Sequence, residues 1–251
     1  MGGMEIRIAE SVVEAFPSVR VGLLVARGID NGGHAAWLAD MHAQVCDHLT
    51  RALRGIELDE HQHIRGWQET HRAFGSNPRR FRPSAEALAR RILKGRSLPR
   101  ISDAVDVYNL ASVRHLLPVG AYDLDKVDSS IELRTSPGGE PFVPLGEPEA
   151  AEETFPGEVV YSDRSRILCR RWNHHDSEHT KVTAGSTDIL VLCEAAHPMI
   201  ATRSIVECLS TTAQLLHDAC GGESQVVLLD GATPAASLTD LARSPTPLDS
   251  G

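Results

Sequence analysis

The sequence predicts an α+β fold, with mixed and largely antiparallel β-sheets packed against helices. Helix-period patterns crowd into the first half of the chain, and short strand patterns follow in a block after residue 130. A doubly wound sheet would instead alternate strand and helix throughout. The 251 residues are long enough to bury a sizeable core.

Val19–Val25 reads as a mostly apolar buried strand, ended by Arg27-Gly28 and the turn-rich run from Asp30 to Gly33. Trp37, Met41, Val45, Leu49 and Leu53 recur at intervals of four, which predicts an amphipathic helix stopped by Gly55. Gly66 to Phe74 is a short helix closed by Gly75-Ser76-Asn77-Pro78. Another opens at Pro83-Ser84, with Ser84 as N-cap, a stripe of Ala85, Leu88 and Ile92, and Gly95 as its end. Ser102 is placed to cap a helix through Val105, Tyr108 and Ser112, stopping near Pro118-Val119-Gly120.

Strand signals then dominate: Ile131–Arg134, Val159–Tyr161, Ile167–Arg170 and Ile189–Cys193, separated by Gly, Pro, Asp and Ser. A last helix carries Ile205, Leu209, Ala213 and Leu216 to Gly221-Gly222, and Gln225–Leu229 forms a final strand. The residues beyond Ala232, with Ser244-Pro245-Thr246-Pro247, are expected to be disordered.

No apolar stretch is long enough to span a bilayer, and Met1–Met4 leads directly into a charged segment, so a cytoplasmic protein is expected. Five scattered cysteines without a Cys-x-x-Cys pair read as reduced thiols, not a disulfide framework or structural zinc site. A net charge of −9 argues against a nucleic-acid partner. Its distribution argues otherwise, because nine Arg or Lys residues lie between Arg72 and Arg100 with Glu86 as the one carboxylate. Such a segment either tracks phosphates or is a solvated helix face paired with acids elsewhere.

Two constellations carry possible chemistry. Asp106 and Asn109 lie three apart on a predicted helix and share a face; they either orient a ligand or cap neighbouring backbone. The run Trp172–Thr180 holds His174, His175, Asp176, Glu178 and His179, but it lacks zincin spacing and no metal is expected there. No dinucleotide-binding, P-loop or Gly-x-Ser-x-Gly signature is present, and no cofactor is expected.

Val105-Asp106-Val107-Tyr108-Asn109, followed by Ala121-Tyr122-Asp123-Leu124-Asp125, resembles the B-three/B-four editing domain of the phenylalanyl-tRNA synthetase β-subunit. There the stretches read Val-Asp-Val-Thr-Asn and His-Ala-Phe-Asp-Leu-Asp. The family's Gly-Gly-Glu-His-Ser, which precedes a Val-Leu-Leu-Glu-Cys strand, is similar to Ser177-Glu178-His179-Thr180 ahead of Leu190-Val191-Leu192-Cys193-Glu194.

The resemblance implies one such domain over residues 1–231, a tail over 232–251, and catalytic roles for Glu178 and Asn109. It implies substrate contacts at Tyr108, Gly120, Asp176 and His179. Tyr108 replaces the family's Thr, Gly120 its histidine, and Asp176-Ser177 its two glycines. Arg79, Arg80, Arg90, Arg91 and Lys94 would hold acceptor-stem phosphates.

The implied function is hydrolysis of mischarged aminoacyl-tRNA by a positioned water. Glu178 would bind the substrate's α-ammonium, Asn109 would orient the water or the ester carbonyl, and the terminal ribose hydroxyl would assist. The partner is the tRNA acceptor end with its attached amino acid. Two alternatives stand beside this: a non-catalytic tRNA or aminoacyl-tRNA binding module, and a metal-dependent hydrolase using His174, His175 and His179.

Overall fold

The computed structural model describes residues 3–33 and 35–239. In chain order the elements are β1 (Glu5–Ile8), α1 (Glu10–Ala15), β2 (Arg20–Arg27), α2 (Trp37–Ala52), α3 (Gln62–Ala73), α4 (Ser84–Leu93), α5 (Asp103–His115), β3 (Val119–Asp123) and β4 (Ile131–Thr135). There follow β5 (Pro141–Phe142), β6 (Glu152–Glu153), β7 (Val159–Ser162), β8 (Ile167–Arg170), β9 (His175–Asp176), β10 (Ile189–Ala195), α6 (Thr202–Cys220), β11 (Glu223–Asp230) and β12 (Ala235–Ser237). The fold is α+β, and no helix among the described residues is long and apolar enough to cross a membrane.

Two sheets carry the architecture. The first has the order β11-β2-β10-β3 and is antiparallel throughout. The second has the order β12-β1-β4-β7-β8-β9, in which the β1–β4 pair is parallel and the others are antiparallel.

The alternation of side chains along a strand assigns the faces of the first sheet. Gly22 on β2 stands opposite Cys193 on β10 and turns toward α6. Leu192 and Glu194 therefore turn the other way, toward the second sheet. α5 and α6 pack against each other over the helical face, where the Cys208 thiol reaches the Ala111 carbonyl. β10 is buried along its whole length, as expected for a strand covered on both faces.

The predicted strands and helices are all present within a few residues. β3 is a difference: the expected helix stop at Pro118-Val119-Gly120 is instead the start of a strand, Val119–Asp123, and the helix ends at Leu116 in the left-handed region (φ 51°). The caps differ too. Pro83, not Ser84, occupies the N-cap of α4, and Ser102 occupies that of α5 without bonding the helix through its side chain. The disorder expected beyond Ala232 does not hold for residues 233–239, where β12 pairs with β1 and the Leu238 N–H donates to the Met4 carbonyl. Residues 240–251 of that expectation lie outside the described residues.

Gly22 sets the closeness of α6 to the sheet. A Cβ there would lie 2.4 Å from Leu209 Cδ1 and 2.6 Å from Ile205 Cγ2. Gly22→Ala should therefore cost about 1–3 kcal/mol by overpacking, measured by denaturant unfolding. An unchanged midpoint would show that the helix has room to move.

Candidate functional site: a carboxylate-lined cavity between the sheets

Where β3 and β10 face β7 and β8, the packing leaves a partly open cavity of about 40 Å³. The first sheet contributes Val119, Gly120, Tyr122, Leu192 and Glu194. The second contributes Tyr161, Cys169 and Asp176; the turn before β9 adds Trp172, Asn173 and His174, and Ser84 at the start of α4 completes the wall.

Glu194 is the best-tethered group here. Its Oε1 accepts from the Tyr161 hydroxyl and from Trp172 Nε1 (3.0 Å), and its Oε2 accepts from Asn173 Nδ2 (3.1 Å). Burial raises its pKa to about 7; the three hydrogen bonds pull it down, and the charge of Asp176 pushes it up. Asn173 is held on its other side by His71, which donates from Nε2 to Asn173 Oδ1 at 3.3 Å. Burial depresses the His71 pKa to about 3.

The turn that delivers these donors is strained. Arg171 and Trp172 both have left-handed backbones, with φ of 48° and 64°. The conformation is held by neighbours: the Arg171 N–H donates to Glu158 Oε1 (2.9 Å), and Arg170 forks onto the same buried carboxylate (3.0 and 2.9 Å).

Asp176 pairs with Cys169 across β8 and β9, and the Cys169 thiol is its hydrogen-bonding partner. Burial raises its pKa, against opposing contributions from Cys169 and His175. Gly120 faces it across the cavity: a Cβ at position 120 would lie 3.6 Å from Asp176 Oδ2. Tyr108 feels the Asp176 charge, which together with burial raises its pKa. Two of the four expected substrate contacts, Gly120 and Asp176, line the cavity; Tyr108 does not.

His174 lines the same cavity. Its Nδ1 donates to the Arg82 carbonyl (2.8 Å), which fixes the tautomer and leaves Nε2 as a free acceptor. Burial lowers its pKa, so the ring is neutral near pH 7.

The other expected residues stand elsewhere. Glu178 does not line the cavity. It lies in the turn after β9, ion-paired to Lys181 and accepting from the Gly146 N–H (2.9 Å), and the Lys181 hydrogen bond leads in lowering its pKa. His179 is exposed. Asn109 on α5 is 9% exposed, and its amide has no hydrogen-bond partner among the described residues. Among the described residues no group of three His, Cys, Asp or Glu side chains is arranged to hold a metal ion.

The basic segment divides. Arg90 is ion-paired to Asp59 and to the buried Glu86 (2.7 Å), which also takes Arg82 at 3.5 Å. Arg91 bonds the Ser97 carbonyl (2.6 Å). Arg79, Arg80 and Lys94 are exposed and form no ion pair among the described residues. Arg80 lies 5.0 Å above the Phe81 ring and Arg171 lies 3.5 Å from it; Phe81 in turn touches the His174 ring at 5.4 Å. A stacked basic rim therefore borders the cavity.

Sequence reasoning passed over Glu194, and met His174 only as a candidate metal ligand. The signal for Glu194 was a carboxylate on the inward face of an otherwise apolar strand, where burial demands partners.

Glu194 predicts a pH signature. Its folded-state pKa of about 7 exceeds the ordinary 4.5, so its contribution to stability is full below pH 4.5 and is lost as pH rises through 7. The loss is about 3 kcal/mol in all. Unfolding free energies at pH 4.5 and 8 should show this decline in the native chain, and Glu194→Gln should flatten it. An equal slope in both proteins would mean that Glu194 titrates normally.

Comparison with known proteins gives three findings. The profile of the family described as B3/4 domain matches residues 66–217, more than half of the chain. No curated protein matches it. Among solved structures, the chain is similar to an N-terminal fragment of the phenylalanyl-tRNA synthetase beta-subunit from Pyrococcus horikoshii. That similarity has 16% identity and a TM-score of 0.44 over 87% of this chain and 49% of the other, so the chain spans about half the length of that fragment. On the extent of the profile match, the chain belongs to the B3/4 domain family.

Proposed function

We propose that this domain is an aminoacyl-tRNA deacylase, in which the ammonium end of the aminoacyl group reaches the cavity between the sheets and a positioned water cleaves the ester at its mouth. The observation that carries the reading is the union of a buried, acid-lined cavity with an unpaired basic rim. The cavity suits an ammonium-bearing group and the rim suits phosphate. Family membership and the Val105–Asn109 and Ala121–Asp125 stretches support the same substrate.

An aminoacyl ester is activated already, so a water in line with its carbonyl and a group to take the proton suffice. In this reading His174 Nε2 accepts the proton as the water oxygen bonds to the carbonyl carbon. The proton then passes to the departing ribose oxygen, completing the hydrolysis. Asn109, with its unpaired amide next to Tyr108, orients the ester or the terminal ribose. Glu178, committed to Lys181 and outside the cavity wall, takes no part in the chemistry.

The second reading, a binding module without turnover, is favoured by Gly120, which stands where the family has a histidine and leaves that side of the cavity bare.

The deciding experiment is deacylation of total tRNA charged with each amino acid in turn. Release of an amino acid, reduced at least tenfold in His174→Ala and kept within about threefold in Glu178→Ala, is expected. Tight tRNA binding without release would favour the module, and neither binding nor release would sink both readings.

The basic segment gives a further prediction. Charge reversal at Arg79 and Arg80 should weaken tRNA binding and reduce its salt slope by roughly one to two, at unchanged thermal stability. Arg90→Ala should instead destabilise the fold by about 1–3 kcal/mol by stripping a partner from buried Glu86. Filter binding across a salt series and thermal melts check the pair.

A further inference from the structure

We infer that the turn between α3 and α4 forms a site for a terminal phosphate, and that the group it takes is the 5′ phosphate of a tRNA. The inference rests on the reading that the domain binds the tRNA acceptor end, and it names a group that this end presents.

The site is an open depression of about 450 Å³, lined by Arg72, Gly75, Ser76, Asn77, Pro78 and Arg79. Two guanidinium groups line it and no carboxylate does. Both arginines are exposed. Among the described residues Arg72 bonds only Gln68 Oε1, at 3.4 Å, and the Arg79 side chain has no hydrogen-bond partner. Asp59 senses the Arg79 charge, but it is engaged by Arg90 and by Gln68 Nε2 (2.8 Å).

The other polar side chains are placed to donate. Asn77 Oδ1 accepts from the Arg79 N–H (3.0 Å), which fixes the orientation of the amide and leaves Nδ2 without a partner among the described residues. Ser76 is 2% exposed, and its hydroxyl has no hydrogen-bond partner among the described residues. A buried hydroxyl is unfavourable unless something bonds it, and an oxyanion in the depression is a suitable acceptor. The carbonyls at the end of α3, which would repel an anion, are already occupied: His71 by the Ser76 N–H (2.9 Å) and Arg72 by the Gly75 N–H (3.0 Å).

Charge and shape favour a chain end over a backbone phosphate. An internal phosphodiester bears a single charge and is flanked by sugar on both sides. A terminal phosphate carries about −1.5 to −2 at pH 7 and offers three acceptor oxygens on a projecting group. Two arginines match that charge, and the hydroxyl of Ser76, set below the surface, favours a group that projects.

Position agrees. A Cβ at Gly75 would lie 3.8 Å from the Phe155 ring. Arg171 stands 5.0 Å from that ring and 3.5 Å from Phe81, which touches the cavity residue His174. The depression therefore adjoins the basic rim of the cavity. The 5′ phosphate and the aminoacylated 3′ end lie at the same end of a tRNA, so one molecule presents both.

The test measures binding of the full chain to one uncharged tRNA with its 5′ phosphate, and to the same tRNA after phosphatase has left a 5′ hydroxyl. At fixed salt and neutral pH, loss of the phosphate should weaken binding about fivefold or more. Arg72→Gln should bring the ratio of the two affinities to within about twofold of unity, and Ser76→Ala, which keeps the charge, should roughly halve it. Arg80→Gln should weaken both RNAs alike and leave the ratio standing. Thermal melts verify that the variants are folded.

Equal affinity for the two RNAs, or a ratio unmoved in both folded Arg72→Gln and Ser76→Ala, overturns the inference while leaving tRNA binding intact. If neither RNA binds, the tRNA reading fails, and calorimetry with methyl phosphate and dimethyl phosphate decides the site. Binding of methyl phosphate but not dimethyl phosphate, lost in Arg72→Gln, upholds a terminal-phosphate site; equal binding, or none of either, overturns it.

Discussion

The carboxylate of Glu194 is the constraint around which this part of the molecule is arranged. It projects from the inner face of β10, and every donor it accepts comes from β7 or the turn before β9. One side chain therefore ties the two sheets together at a fixed spacing. Burying it is costly unless its partners are in place. The consecutive left-handed residues Arg171 and Trp172 are the local strain that brings two of those partners inward. The Glu158–Arg170 fork holds that strain from the opposite side. The cavity is what remains when two sheets are held apart by a polar cluster instead of closing on apolar side chains.

Charge is sorted across the same region. Negative groups are drawn inward at Glu194, Asp176, Glu158 and Glu86, and each of the last two is neutralised by an arginine fork or pair. Outside, Arg80 and Arg171 are stacked around Phe81. A net charge of −9 is thus compatible with a locally basic face, because bulk charge and its placement are separate quantities.

Elements with clean periodicity were legible in the sequence: β2, α2, α4, α6 and β10 are long or strongly patterned. β3 was not, since Pro118 and Gly120 are punctuation in isolation and only pairing with β10 makes the segment a strand. The two-residue strands β5, β6 and β9 have too few residues to show a period. The site was legible in part. Gly120 and Asp176 were found as separate motif positions, and the structure sets them face to face. The basic run was read as uniform, but its members differ in what lies beside them. Asp59 and Glu86 pair with Arg90, while Arg79 forms no ion pair among the described residues. Linear spacing carries no information on that distinction.

The bond from Trp172 to Glu194 has an optical consequence. The chain holds three tryptophans, and Trp172 donates its indole N–H directly to the carboxylate at the cavity floor. Its excited-state dipole therefore senses whether that acid is ionised and whether a cation lies against it. Trp67, packed at 5.4 Å on Trp172, is close enough to share excitation with it. The domain thus contains its own fluorophore in the cavity wall, so a change at the Glu194 carboxylate can be followed by intrinsic emission without any label.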